Sequence, residues 1–328
     1  MEKEQLYRYT GNPDQLFGLR RVRLEEGRAG GTTIIEATTA GGLQVDILPD
    51  TGLALGLVRY KGVNVSYQSK NGYDSPAVNL PVEMEFLNTF PGGLLYTCGL
   101  RNVGPPCRDG AAQEYHPQHG RIHSLQATEV SASTVGDDQV VTGVLRESAL
   151  FGHVLQLRRR ITIPAFGSSI RIEDTVENLT PKPEEFMLLY HCNMGYPLLD
   201  EHARLVLPKQ RKTTPRSDHA ESGLGQECEF TPPVDGEEEM VFFHQMDEAW
   251  ARLENPKVGT ALTLKWSGDI LPVLAEWKSM ASGDYVLGLE PSNNFIMGRA
   301  AERENGTLKT LGGFESVSTC IELNLETI

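Results

Sequence analysis

The 328-residue chain has little that would staple or anchor it. Its cysteines, Cys98, Cys107, Cys192, Cys228 and Cys320, are odd in number and lack close CxxC spacing. That argues against a disulfide framework, and a reduced cytoplasmic chain with free thiols is expected. No stretch approaches the roughly 18 apolar residues of a membrane helix. The N-terminal MEKEQLYRYTGNPDQLF has no apolar core of the kind a signal peptide needs. Positive charge is scarce: 30 Lys and Arg face 44 Asp and Glu, a net charge of −14. General affinity for nucleic acid or an anionic membrane is therefore not expected. Helical periodicity is missing too; short helices are predicted near 12–17 and 78–88 at most. There is no repeat of fixed period and no linker, so residues 1–328 read as one domain.

What is present is turns and alternation. Glycine (33) and proline (19) are plentiful, and period-two hydrophobic patterns dominate. GGLQVDILPDTG reads as a strand closed by a turn. ALTLKW sets Leu262, Leu264 and Trp266 on one face, and STCIELNLETI does the same with Ile321, Leu323 and Leu325. The fold class is all-β, and a β domain of this length needs two large, mostly antiparallel sheets packed face to face.

The clearest hairpin is LQLRRRITIPAFGSSIRIEDTVEN. Pairing Ile163 with Ile170 across PAFGSS sets Ile161 opposite Ile172 and Leu157 opposite Val176. The same register puts Arg159 against Asp174 on the apolar face, where a cross-strand ion pair would satisfy both. Arg158 and Arg160 then belong to the solvated face.

Four polar clusters could carry chemistry. In EYHPQHGRIHSL, a strand beginning at His119 would point His119, Arg121 and His123 to one side. Spacing alone allows a metal reading for His116, His119 and His123, but no helix aligns them and Pro117 interrupts the segment. As turn histidines, His116 and His123 would be partly exposed. In LLYHCNMGYPLLDE, His191 and Asn193 share a face with Leu189, while Tyr190, Cys192 and Met194 take the other. Two polar groups on one face near a strand end read as a pocket lip or as satisfied core groups. In DYVLGLEPSNN, Val286, Gly288 and Glu290 share a face, and Pro291 is expected to stop the strand. Glu290 beside a glycine is placed for a base or simply for water. The glycine-rich NTFPGGLLYTCGLRNVG could bring backbone close to a ligand but lacks the context of a nucleotide loop.

Together these segments resemble the galactose mutarotase-like family, the aldose 1-epimerases, in its less characterised branch. The pieces that carry the resemblance are VDILPDTGLAL, GGLLYTCGLRNVG, HGR at 119–121, YHCNMGYPLL at 190–199 and GLEPSN at 288–293, in family order over roughly residues 40 to 300. The resemblance implies a β-supersandwich and a cofactor-independent isomerase. It makes His191 the general acid toward the ring oxygen and Glu290 the general base toward the C1 hydroxyl, with Glu290 ionised and His191 protonated. His119 matches the substrate-binding histidine, with Arg121 and Asn193 beside the sugar. Arg121 stands where better-known mutarotases have a second glycine, and for their substrate-binding aspartate Asp200 and Asp247 are the candidates. Arg101, Arg121 and Lys278 would suit a phosphorylated or acidic sugar. The partner is a monosaccharide or sugar derivative. Two further readings stay open: a non-catalytic sugar-binding or sensor protein, and a metal-dependent isomerase or lyase using the 116–123 histidines.

Overall fold

Alternating sequence becomes strand along most of the chain. The computed structural model describes residues 3–75, 80–110 and 114–328. An eight-stranded sheet runs, in spatial order, through 204–206, 250–255, 260–266, 316–327, 169–178, 154–164, 138–148 and 128–135. A seven-stranded sheet runs through 211–215, 240–246, 273–281, 284–292, 184–194 and 309–311, with 96–100 also pairing with 184–194. The pairings in both are antiparallel. A further five-stranded sheet, which the sequence reading did not separate, is built from the strands between residues 18 and 64.

The 155–178 hairpin has the expected register, with Leu157, Arg159 and Ile161 opposite Val176, Asp174 and Ile172. Arg159 and Asp174 are 2% exposed each. Arg159 Nε and Nη2 donate to the two carboxylate oxygens at 2.9 and 2.6 Å. Its remaining donors reach the carbonyls of Gly52 and Leu53 and the Thr97 hydroxyl. Desolvation of two charges is severe, and full hydrogen bonding on both sides is what makes the pair tolerable. Arg158 and Arg160 are exposed, as expected.

Strand Glu184–Met194 lies between neighbours on both edges and is buried on both faces, hence the unbroken run FMLLY. Leu188, Tyr190, Cys192 and Met194 enter the core shared by the sheets. Met187 and Leu189 join a second apolar cluster on the opposite face, with Tyr96, Val241, Ala275 and Val286. His191 is carried on this second face.

Helices are short, as expected, with a 3-10 turn at Pro13–Gln15 and one α-helical turn at Phe86–Thr89, but the sequence reading missed the α-helices at Lys3–Tyr9, Asp218–Ser222 and Arg299–Glu304. Part of the helix predicted over 78–88 falls outside the described residues. Among the described residues no helix is long and apolar enough to cross a membrane.

Candidate functional site

The pleat and the register bring His191 to Glu290. Leu189 pairs with Ser292 and Cys192 with Leu289, so His191 and Glu290 are cross-strand neighbours on the same face. His191 Nε2 lies 3.2 Å from Glu290 Oε1. The strand holding Glu290 continues through Pro291 to Ser292, instead of stopping at the proline. Proline lacks only the N–H, and its carbonyl side remains available to the ladder. Gly288 leaves room for the pair: a Cβ there would stand 2.7 Å from Glu290 Oε1 and 3.1 Å from Trp277, so the Glu290 carboxylate would have to shift.

Asn193 sets the imidazole. Its Oδ1 accepts the His191 Nδ1–H at 2.5 Å, and its amide donates to the carbonyls of Gly93 and His191. With Nδ1 protonated, Nε2 is the nitrogen that exchanges a proton toward Glu290. Asn193 itself is fully buried and does not reach the cavity wall.

Both members of the pair are driven toward their neutral forms. Burial pushes Glu290 up to about 8, although Arg216 pulls the other way. Burial pushes His191 down to about 4, partly opposed by the hydrogen bond to Asn193. The sequence reading expected an ion pair, but desolvation of two nearly inaccessible groups outweighs their attraction. The 3.2 Å contact is not aligned as a hydrogen bond, and Glu290 Oε1 has no hydrogen-bond partner among the described residues.

A cavity of about 700 Å3 opens over this pair. His119, His191 and Glu290 line it, with Phe86, Phe90 and Trp277 as aromatic walls. The His191 ring lies 5.2 Å from Phe90, 5.3 Å from Trp277 and 5.9 Å from His119. His119 reaches the cavity by a different route from the strand predicted there. It sits in a turn at φ 56, followed by Gly120 at φ 75, and leads into a 3-10 turn at Ile122–Ser124. Its Nδ1 accepts the Gly104 N–H at 3.5 Å, and Gly104 has no room for a side chain because a Cβ would lie 2.2 Å from the Ile296 carbonyl. Burial, then the neighbouring His191, holds His119 well below the ordinary histidine range.

Without a strand at 119 the alternation fails, and its companions go elsewhere. Arg121 turns away from the cavity, donating to the Tyr115 carbonyl with Glu147 3.9 Å off. His123 is buried against the Tyr96 hydroxyl at 3.0 Å, and His116 is also buried, 3.4 Å from Glu114; neither is the half-exposed turn residue expected. Arg101 is buried between Glu114 and Glu184 at 2.7 and 2.6 Å. Lys278 lies on the opposite face of its strand from Trp277 and Ser279, donating to the carbonyls of Gln226, Glu227 and Glu229. None of Arg101, Arg121 and Lys278 lines the cavity. Asp200 is held by Asn255, Lys257 and the His202 N–H, and neither it nor the exposed Asp247 is at the cavity.

Several lining residues were not singled out from sequence. Arg216 pairs with Glu239 at 2.8 Å, and Glu239 also accepts the Trp277 indole N–H at 2.7 Å. Lys70 pairs with Asp284 at 2.7 Å at the rim. Alternation in VLAEWKSMA already puts Trp277 with Ser279 and opposite Lys278; what was missing was the knowledge that this strand borders Glu290. Among the described residues, three or more possible ligand atoms gather within 4.8 Å only at Asp200, Glu201 and His202, away from the cavity. The 116–123 histidines form no such group.

A model of the family described as "Domain of unknown function (DUF4432)" matches residues 29–325. The chain belongs to that family. No curated protein matches it in sequence. Its fold is that of the galactose mutarotase-like β-sandwich proteins. A "putative aldose 1-epimerase" from Klebsiella pneumoniae superposes with a TM-score of 0.88 at 24% identity, over 96% of this chain and 86% of that one. A galactose mutarotase-like protein from Clostridium acetobutylicum superposes at 0.69, with 15% identity and coverage of 96% and 100%. Galactose 1-epimerase from Lactobacillus acidophilus gives 0.63, with 14% identity and coverage of 95% and 99%.

Proposed function

We propose that this member of the DUF4432 family is a sugar 1-epimerase, an isomerase that interconverts the α and β anomers of an aldose without a cofactor. The observation that carries the reading is the His191–Glu290 pair, 3.2 Å apart on the floor of an aromatic-walled cavity. Ring opening needs one proton given to the ring oxygen and one taken from the C1 hydroxyl, at oxygens bonded to the same carbon. Between pH about 4 and about 8 the pair together holds one proton. Burial places that proton on Glu290 when no sugar hydroxyl meets the pair. With sugar bound, the working form places it on His191 Nε2 as the acid and leaves Glu290 as the base. Both forms carry the same number of protons, so no exchange with solvent is needed. Rotation about C1–C2 and closure with the transfers reversed give the other anomer and restore the pair.

His119 is the substrate-binding histidine, offering a neutral ring at the cavity wall. Asn193 acts as a positioning residue that holds the His191 tautomer. A phosphorylated or acidic sugar is disfavoured: the cavity's cations, Lys70 and Arg216, are each paired with a carboxylate, and Glu237 adds further negative charge. Residues 1–328 act as one unit, a reading supported by an apolar core drawn from all three large sheets. The five free cysteines suit a reducing, cytoplasmic setting.

The test is anomer exchange followed by NMR across free aldoses and sugar phosphates, with wild type and Glu290→Gln. Acceleration by wild type and none by the variant is the expected result. Sugar binding without acceleration by wild type would give the lead to a non-catalytic sugar-binding protein.

A further inference from the structure

We infer that the site takes a neutral reducing disaccharide or longer oligosaccharide, with its reducing ring at His191 and Glu290 and a second ring in the compartment beyond Trp277. This deepens the epimerase reading above and rests on it. Glu290 pairs with Ala275 and Asp284 with Ala281, so the floor of the cavity continues along one hairpin for six residues. At about 3.3 Å per residue that is about 20 Å of floor. A pyranose ring is about 5 Å across, given carbon–carbon bonds of about 1.5 Å. The cavity volume agrees with this, since about 700 Å3 far exceeds one hexose, which fills about 180 Å3 at the density of packed organic matter.

The far compartment has the chemistry of a glycosyl site. Ser279 and Ala281 continue the hairpin face beyond Trp277, and Tyr67, Asn71 and Glu237 are also among the residues that line the cavity. Tyr67 and Trp277 meet edge to face with centroids 6.4 Å apart, and both line the cavity. Aromatic surface next to carboxylate and amide groups matches the apolar face and hydroxyl rim of a sugar ring. Neither cation is free to take an anion, because Lys70 and Arg216 are paired with Asp284 and Glu239. The compartment also leads outward: the Lys70 and Asp284 side chains are 66% and 44% exposed, against 6% and 4% for His191 and Glu290. A chain can therefore lie along the hairpin with its reducing ring held inside.

The experiment compares kcat/KM for anomer exchange of glucose and galactose with that of maltose, cellobiose and lactose. At least one disaccharide should exceed its own reducing-end monosaccharide by about tenfold or more, since contacts remote from the reacting carbon can be used at the transition state. Ala281→Trp, which fills the far compartment, should lower the ratio of disaccharide to monosaccharide rates by a similar factor. On wild type, saturation-transfer NMR should label protons of both rings. Transfer confined to the reducing ring, or monosaccharides exchanged as fast as every disaccharide with a ratio that Ala281→Trp does not move, would overturn the inference and leave the epimerase reading intact. No exchange of any sugar would instead defeat the epimerase reading.

Discussion

Tyr190 and His191 are adjacent on one strand, yet they serve two buried acid–base pairs on opposite sides of it. Toward the sandwich interior, the Tyr190 hydroxyl donates to Asp174 at 2.7 Å, completing the Arg159–Asp174 pair. Toward the cavity, His191 faces Glu290, whose Oε1 has no hydrogen-bond partner among the described residues. Both pairs are almost wholly removed from water. In the interior pair the hydrogen bonds are met, and although burial opposes its charge, Asp174 raises Arg159 still further. The cavity pair is under-satisfied, so burial wins and drives both groups toward neutrality. Satisfaction makes a rigid joint between sheets, while its lack leaves protons that a ligand can move.

The largest expected effect breaks the cavity pair. Glu290→Gln should lower the proposed anomer exchange by about 10²–10⁴-fold or more, measured by NMR. The same variant should be more stable than wild type in alkali. Glu290 is raised in the folded state from the ordinary 4.5 to about 8. The folded state therefore carries no penalty below about 4.5, a growing one as the pH rises toward about 8, and the full penalty above it. Thermal unfolding at pH 9 should show the variant ahead by on the order of a few kcal/mol, and at pH 4 nearly level with wild type.

Next comes the interior pair. Arg159→Met alone should cost about 3–5 kcal/mol in denaturant unfolding, because Asp174 would be left buried without its cation. Adding Asp174→Leu should recover much of that loss. A single variant as stable as wild type would mean that the two pairs do not differ in the way described.

Smaller effects sharpen the contrast. Asn193→Ala frees the His191 ring to reorient and should lower kcat by about 10–10²-fold with less change in KM. The wild-type rate should follow a bell with limbs near pH 4 and pH 8. Below the first the pair holds two protons and has no base; above the second it holds none and has no acid. Because the Asn193 hydrogen bond raises His191, its removal should move the acid limb to lower pH. Lys278→Met, on the far side of the sheet from the cavity, should change kcat/KM by less than about twofold.

The interior pair was legible in the sequence because a hairpin's register is local: once the PAFGSS turn is placed, Arg159 meets Asp174. The faces of 184–194 and 284–292 were legible for the same reason, since alternation separates His191 from Tyr190 and Glu290 from Leu289. Around His119 alternation had nothing to act on. A residue at φ 56 followed by Gly120 breaks the pleat, and Arg121 leaves the side that His119 faces. The protonation state of the His191–Glu290 pair was not legible either, because burial depends on everything packed above it.

By itself the sequence determined strand periodicity, the side each residue takes on its own strand, and the pairing within hairpins, all of which depend on near neighbours along the chain. Only the tertiary structure decided which strands lie side by side, and so that Trp277, Glu239 and Arg216 would wall the cavity over His191 and Glu290. It also decided that Arg101 would be spent on Glu114 and Glu184. The physical reason is that desolvation and charge pairing act through space, over distances that spacing along the chain does not encode.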